Sequence, residues 1–303
     1  MSAPEITLSR HLSYFEASAR ARVAQIVDRE SFREFLPPTK ASPSPHLAVL
    51  DIPGAFDDGV VVGSATMSGH PVLIAAQEGQ FMGGAVGEIH GAKIVGLLRR
   101  AVTERPSAVL FLVDSGGVRL HEANAGLIAI SEIMRAVLDA RAAGVPVIAL
   151  VGGSCGAFGG MGIVSRLCSA IVMSEEGRLA LSGPEVIETV AGVEEFDSKD
   201  RALVWRVTGG KHRYLTGDCL ELVEDDIADF RRGVINLLAN FHDRPSTSTT
   251  LRAEQERLSG RMERFAGMRD GLEVWRALGI AQPEQIPLLT RDSFIDLCQG
   301  VRA

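Results

Sequence analysis

The sequence has few cysteines, few aromatic residues and no long apolar run. Its 303 residues include four cysteines, and none of them forms a CxxC pair, so neither a zinc ribbon nor a disulfide framework is indicated. No apolar stretch approaches the roughly 20 residues that span a bilayer, and the N-terminal segment has no apolar core of signal-peptide length. We therefore predict a cytoplasmic protein with free thiols and no membrane partner.

Positive charge is also in deficit, with 31 lysine and arginine residues against 38 aspartate and glutamate residues and a net charge of −7. A surface of this sign does not attract nucleic acids or anionic membranes. The 46% share of hydrophobic residues excludes a disordered chain, and 32 glycines suit a loop-rich scaffold. The length allows one large domain or two modest ones.

Apolar patterns of strand and helix type alternate from residue 60 onwards. Val60–Met67 and Pro71–Gln77 are strand-like and are joined by a short connection, which predicts a hairpin. Beyond them, predicted helices cover 88–103, 120–142, 156–167 and 185–190, and predicted strands cover 108–114, 145–151, 169–174 and 178–181. Such alternation is typical of a largely parallel sheet with helices packed outside it. We therefore predict the α/β class.

Both ends of the chain are predicted to be helical. Apolar residues at helical spacing predict a helix over about 8–36, ended by Pro37-Pro38. The polar stretch 245–250 is predicted to be a linker, and the tail beyond it carries two or three amphipathic helices. The chain thus divides into a main domain at 1–244 and a linker with a helical extension at 245–303. The extension is too small for a large core and is expected to pack on the main domain or on a partner.

Two glycine-rich turns stand out. The stretch Val109–Glu122, VLFLVDSGGVRLHE, leads an apolar strand directly into Ser115-Gly116-Gly117, and a second apolar strand leads into GGSCGAFGG at 152–160. Glycine has no Cβ and lets backbone amides point into a site. Two such turns can surround one developing negative charge, as in an oxyanion hole. Each turn alone is equally typical of an ordinary strand-to-helix turn, but together they favour a site.

Four ordered blocks, covering roughly residues 15–240, resemble the acyl-CoA carboxyltransferase family of the ClpP/crotonase superfamily. The first block is ARARVAQIVDRESF at 19–32, the second is FMGG at 81–84 with GAKIV at 91–95, and the two glycine turns are the third and fourth. SGPEVIE at 182–188 resembles the family's segment after the second turn. The resemblance implies a ClpP/crotonase-like spiral of β-β-α units of the carboxyltransferase N-domain type. The helical N-terminal segment and the helical C-terminal tail would flank this spiral.

Within that family, GGVRLHEAN at 116–124 and EFDSKDRALVWRVTGGKHR at 195–213 are similar to the beta subunits of biotin-independent malonate decarboxylases. One departure is His121, which stands where relatives commonly carry Gln. The resemblance implies decarboxylation of a malonyl thioester on an acyl carrier protein to an acetyl thioester, through an enolate. It implies no tightly bound cofactor, because the carrier delivers a CoA-derived thioester arm. Expected partners are a gamma subunit, the carrier protein and an acyl-carrier transferase subunit, with a homodimer in isolation.

The resemblance also gives roles to individual residues. The oxyanion donors would be the backbone amides of Gly116, Gly117, Val118, Gly156 and Ala157. Glu122 and His121 would protonate the enolate, or His121 would only occupy a surface position on a helix. Arg119 would pair either with the leaving carboxylate or with a neighbouring acid. Lys93 and Arg99 would contact the phosphates of the arm or lie on a solvated helix face. No metal site is predicted, and a nucleophilic role for Cys155 would require a basic partner, which a sequence does not show.

Two other function classes stay open. A biotin-dependent carboxyltransferase beta subunit would use the same oxyanion hole, and a scaffold subunit would have lost catalysis. A ClpP-like serine protease has less support, because Ser115 and Ser154 have no motif-supported His and Asp partners. A partner interface of roughly 2,000 Å² or more is expected on the apolar stripe of the tail, Leu251–Ile280, or near the glycine turns.

Overall fold

The fold was determined as a computed structural model that describes residues 11–40, 42–51, 53–243 and 247–301. Within these residues, seven strands form a single mixed sheet. The strands are β1 Arg33–Phe35, β2 Val60–Met67, β3 His70–Gln77, β4 Ala108–Val113, β5 Val147–Val151, β6 Ala170–Ser174 and β7 Glu221–Val223.

Twelve α-helices lie before, between and after these strands in the described residues. The N-terminal and connecting helices are α1 Ala19–Ile26, α2 Pro45–Val49, α3 Glu88–Glu104, α4 Ala125–Ala142, α5 Gly160–Leu167, α6 Pro184–Ala191, α7 Arg201–Thr208, α8 Gly210–Leu215 and α9 Ile227–Asn240. The tail contributes α10 Ser248–Arg264, α11 Gly271–Ala277 and α12 Arg291–Cys298.

The order of the strands in the sheet is their order in the chain. The first three strands pair antiparallel, which confirms the predicted hairpin, and β3 to β7 pair parallel. Each parallel connection passes through a helix and returns to the next position, so the chain advances as a spiral of strand-and-helix units. The α/β prediction is therefore confirmed.

The central strands are buried on both faces. Val109 and Phe111 of β4 pack into one hydrophobic cluster with α3, α4 and α5. Leu110 and Leu112, which alternate with them, pack into a second cluster with α1 and α9. Because side chains alternate across a strand and helices cover both faces, β4 and β5 are continuous apolar runs. This packing fixes the ends of β4 and β5, from which the two glycine turns depart.

The tail packs on the main body of the chain. Trp275, Ile286 and Phe294 form a third hydrophobic cluster with Leu215 of α8 and Leu222 of β7. The part of the predicted interface stripe that includes Trp275 is therefore buried within the chain. The domain boundary predicted at 244–245 lies outside the described residues.

The predicted N-terminal helix over 8–36 is too long, and its first residues lie outside the described part of the chain. Ser18 caps α1 through its side chain, and Val27 is already extended. Farther along, Arg33–Phe35 pairs with β2. The tertiary pairing of β1 overrides the helical spacing of the apolar residues.

Three other boundaries also differ from the prediction. The segment 178–181 is not a regular strand but makes isolated bridges, Ala157 with Leu179 and Arg178 with Gly209. The helices predicted at 120 and 156 begin at Ala125 and Gly160, because the preceding residues are used in the glycine turns. The predicted linker ends earlier, since Thr247 caps α10.

Candidate active site

The first glycine turn, residues 115–118, presents one unpaired backbone amide. The carbonyl of Gly117 accepts from the Val86 amide at 2.9 Å, and the Arg119 amide donates to the Val86 carbonyl at 3.0 Å. In a trans peptide the N–H points opposite to the C=O, so the Val118 amide points away from Val86. Among the described residues it has no hydrogen-bond acceptor. The backbone reaches this orientation because Gly117 has a φ of +147°, a conformation that favours glycine.

The second glycine turn, residues 152–160, ends at the N-terminus of α5. Gly159 caps this helix, and its amide donates to the Leu181 carbonyl at 2.8 Å. The next two amides, of Gly160 and Met161, have no acceptor in the described part of the chain. The first amides of a helix lack intrahelical partners and lie at the positive end of its dipole. They are therefore suited to bind an anionic oxygen.

The two turns run side by side. The Ser115 amide donates to the Gly156 carbonyl at 2.7 Å, and the Phe158 amide donates to the Ser115 carbonyl at 3.0 Å. A Cβ on Gly159 would lie 3.4 Å from the Cα of Gly117. The unpaired amides of Val118 and Gly160 each follow one of these two contacting glycines. These two amides are therefore the candidate donors to one oxygen atom at this junction.

Of the five amides predicted as donors, only that of Val118 is unpaired. The other four donate within the fold: Gly116 to the Gly83 carbonyl at 2.9 Å, Gly117 to Ser115 Oγ at 3.3 Å, Gly156 to the Gly153 carbonyl at 3.0 Å and Ala157 to the Arg178 carbonyl at 2.8 Å. The two predicted turns are therefore in contact, but four of the five predicted donors form hydrogen bonds that stabilise the turns and are not free to bind a substrate. Sequence reasoning missed Gly160, although a glycine pair directly before an apolar helix was a usable signal.

Arg119 and Glu122 form a buried ion pair beneath the first glycine turn. The Arg119 guanidinium donates to Glu122 at 3.1 Å, and its other nitrogens donate to the carbonyls of Ala85 and Asp58. The second carboxylate oxygen of Glu122 accepts from the Glu88 amide at the start of α3. Arg119 therefore makes the internal ion pair rather than offering a free guanidinium, and Glu122 holds the start of α3.

His121 keeps its side chain open to a cleft. The cleft has a volume of about 610 Å³ and is lined by Met82, Arg119, His121 and residues of the segment 42–58. Glu122 also lines this cleft, but it is only 3% exposed, whereas His121 is half-buried. Of the two predicted proton donors, His121 is thus the more open to the cleft.

Lys93 and Arg99, predicted to meet the phosphates of a thioester arm, lie in different environments. The Lys93 ammonium is buried and donates to both oxygens of Asp58 at 3.1 and 3.0 Å and to the Val60 carbonyl at 2.7 Å. Burial raises the pKa of Asp58, and the Lys93 charge opposes this shift. Lys93 is therefore not on a solvated helix face. Arg99 is exposed and lies 3.5 Å from Glu132.

Asp114, which sequence reasoning did not select, holds the ends of the strands together. Its carboxylate accepts from Arg22 at 2.8 Å and from the Cys155 amide at 2.7 Å. Burial raises the pKa of Asp114 and is opposed by the Arg22 charge. Burial, and then the charge of Asp114, raise the pKa of the Cys155 thiol. A raised thiol pKa disfavours the thiolate that a nucleophile needs.

In the described part of the chain, no group of three or more His, Cys, Asp or Glu side chains is placed to bind a metal ion. None of the helices in that part is long and apolar enough to cross a bilayer.

Large apolar side chains are exposed on segments next to the glycine turns. Leu120, two residues after the first glycine turn, is 84% exposed. Met82, Leu127 and Leu181 are also exposed and lie on the loops and helix starts that follow β3, β4 and the second glycine turn. Exposed apolar patches of this kind mark interaction surfaces.

Comparison with protein families matches residues 16–263 to the carboxyl transferase domain. The chain is 39% identical over 310 aligned residues to the malonyl-S-ACP:biotin-protein carboxyltransferase of Malonomonas rubra, covering 96% of this chain and 97% of that protein. It is 31% identical to the methylmalonyl-CoA carboxyltransferase 12S subunit of Propionibacterium freudenreichii subsp. shermanii, covering 74% of this chain but 40% of that longer protein.

Solved structures of similar chains agree with this family assignment. A malonate decarboxylase hetero-tetramer from Pseudomonas, in complex with malonate, contains a chain that is 38% identical with a TM-score of 0.79, covering 88% of this chain and 97% of that one. A Pseudomonas malonate decarboxylase hetero-dimer contains a chain that is 36% identical with a TM-score of 0.66, covering 82% and 96%. These matches confirm the predicted carboxyltransferase-type, crotonase-like fold.

Proposed function

Because the chain belongs to the carboxyl transferase domain family, we propose that it is the malonate decarboxylase subunit that removes CO₂ from a malonyl thioester carried on an acyl carrier protein. The similarity to chains of Pseudomonas malonate decarboxylase over nearly their whole length supports this assignment. The Malonomonas rubra relative is named for a malonyl thioester on a carrier protein. This similarity supports a thioester arm delivered by a partner, with no tightly bound cofactor.

The observation that carries the proposal is the pair of unpaired amides on adjacent glycine turns. When the bond from the malonyl α-carbon to the carboxylate breaks, CO₂ leaves and the electron pair passes to an enolate, whose charge lies mostly on the thioester oxygen. The amides of Val118 and Gly160 would donate to that oxygen. Removing one such donor costs about 3 kcal/mol, or at least a hundredfold in rate. Donors held by the fold need no reorganisation when the charge develops.

The α-carbon of the enolate must then accept a proton. We assign this step to the His121 side chain, since its ring faces the cleft beside the first glycine turn. Glu122 is excluded from this role because both of its carboxylate oxygens accept hydrogen bonds within the fold. Arg119 acts on the reaction through the turn it supports.

The exposed apolar side chains around the glycine turns would form the interface with a gamma subunit that completes the site. The hetero-dimeric and hetero-tetrameric Pseudomonas relatives support such an assembly. The carrier protein and an acyl-carrier transferase subunit would be the further partners. Alone, the chain is expected to form a homodimer through the same surface and to have little activity.

A second candidate is carboxyl transfer to a biotin protein, which the name of the Malonomonas rubra relative favours. The same two amides would stabilise the same enolate. The carboxyl group would then pass to biotin instead of being released as CO₂.

The test combines the chain with its gamma subunit and a malonyl-loaded carrier protein, with and without a biotin protein, and it follows both CO₂ release and formation of carboxybiotin. We expect CO₂ release that requires this chain and that neither the biotin protein nor excess avidin changes. Carboxybiotin formed in place of CO₂, and blocked by avidin, would select carboxyl transfer to biotin. Full activity in a complex that lacks this chain would refute both catalytic assignments. The chain would then be a non-catalytic scaffold subunit.

A further inference from the structure

Arg178 contacts the second glycine turn at two points. Its backbone carbonyl accepts from the Ala157 amide at 2.8 Å, and its guanidinium Nη2 donates to the Ser154 carbonyl. Gly156 lies between these points with a φ of +69°, and a Cβ on it would lie 2.8 Å from the Arg178 carbonyl oxygen. Arg178 thus binds the turn on both sides of Gly156, at Ser154 and at Ala157.

The guanidinium also connects this turn to α7. Its central carbon lies 5.6 Å from the centre of the Phe158 ring and 5.5 Å from that of the Trp205 ring. Trp205 belongs to α7, and its indole nitrogen donates to the Glu176 carbonyl at 3.2 Å. A planar guanidinium can stack on aromatic rings and donate a directed hydrogen bond at the same time, which an ammonium group cannot do equally well.

Arg178 differs from the buried cations Arg22, Lys93 and Arg119, which each pair with a carboxylate. Its side chain is half-buried, and among the described residues its Nε is buried without a hydrogen-bond acceptor. Burial lowers the pKa of this group, and the more distant charges of Glu185 and Asp114 oppose the shift. The close contacts of the guanidinium are therefore those with the second glycine turn and with Trp205.

We propose that Arg178 is a positioning residue, whose side chain braces the second glycine turn between Ser154 and Trp205 and so fixes the direction of the amides at the start of α5. It acts on the reaction through Gly160 and does not itself touch the substrate. The inference deepens the proposed function and rests on it for its kinetic consequence. Its structural consequence, the rigidity of residues 152–160, can be measured independently.

The first experiment measures hydrogen–deuterium exchange of the full chain in complex with its gamma subunit. In Arg178→Met we expect amides of residues 154–160 to exchange at least about tenfold faster than in the wild type, because the brace is lost. Arg231→Met is the matched control, since Arg231 is half-buried and donates to the Ile26 carbonyl and Asp28 far from the turns. Unchanged exchange in Arg178→Met would overturn the proposal, whatever the activity of the complex.

The second experiment separates kcat from KM for malonyl-carrier protein. We expect kcat of Arg178→Met to fall by about tenfold or more and KM to change less than about threefold, because misplaced donors affect the transition state most. Arg178→Lys should recover part of kcat, and Arg231→Met should match the wild type. If Arg178→Met does not fold, Trp205→Leu should lower kcat in the same direction, while Trp205→Phe, which keeps a ring, should not.

Wild-type kcat in a folded Arg178→Met or Trp205→Leu complex would overturn the proposal. A wild-type complex that releases no CO₂ and transfers no carboxyl group would instead refute the proposed function. The exchange result at residues 154–160 would still decide the role of Arg178.

Discussion

Replacing Gly117 by Ala tests the first oxyanion donor without a steric clash. Gly117 has a φ of +147°, and a Cβ added there would meet no heavy atom within 4 Å. Holding alanine in this conformation costs on the order of 1–3 kcal/mol. The hydrogen bond from the Val86 amide to the Gly117 carbonyl contributes only about 1 kcal/mol. Because the strain exceeds the bond that resists it, we expect the backbone to rotate about the N–Cα bond of residue 117. This rotation displaces the peptide between residues 117 and 118 and moves its N–H out of the site.

Loss of one donor of this kind lowers kcat by about 100-fold to 1,000-fold. We therefore expect Gly117→Ala to lower kcat for CO₂ release from malonyl-carrier protein by about 100-fold, with KM changed less than about threefold. Gly69→Ala is the matched control, because Gly69 has a φ of +79°, meets no neighbouring atom within 4 Å and lies in the β2–β3 hairpin. It should lose stability but keep kcat. A folded Gly117→Ala enzyme with wild-type kcat would refute the reasoning.

Three further predictions concern stability. Replacing Lys93 by Met leaves the buried Asp58 carboxylate unpaired, so the free energy of unfolding in urea should fall by about 3 kcal/mol or more; an unchanged value would show that the pair is not needed. Burial lowers the pKa of His90 and of His212 to about 3. Their unfolded pKa is about 6.5, so their contribution to stability is present above that pH and is lost as pH falls towards 3. Between pH 7 and 5.5 the free energy of unfolding should fall by about 1.3 kcal/mol for each of the two histidines. His212→Gln keeps only the contribution of His90, so its total loss over this range should be about half that of the wild type; an unaltered pH dependence in that variant would contradict the prediction. Trp275, 2% exposed, joins the tail to α8, and Trp275→Ala should cost about 3–5 kcal/mol in urea unfolding; a loss below about 1 kcal/mol would mean that the tail contributes little.

The sheet could be predicted because its signals are local. Alternating and continuous apolar runs marked β2 to β6, and the helices between them indicated a largely parallel sheet. The helix predicted over 8–36 failed because the pairing of Arg33–Phe35 with β2 is a long-range contact. Helical spacing alone does not reveal such a partner.

The glycine turns were found from the sequence, but their free donors were not. Whether the amide of Gly116 or of Val118 is free depends on hydrogen bonds to Gly83 and Val86, more than 30 residues earlier in the chain. The same holds for Lys93, whose partner Asp58 lies 35 positions away. A sequence shows that such groups exist, whereas their partners are set by the fold.

The central claim is that the amides of Val118 and Gly160 bind the thioester oxygen on which the enolate charge develops. The most direct measurement is a crystal structure of the complex with a malonyl thioester analogue that cannot lose CO₂. We predict that the thioester oxygen lies about 2.7–3.1 Å from both amide nitrogens. A thioester oxygen bound by other donors, with both amides facing away from it, would contradict the account.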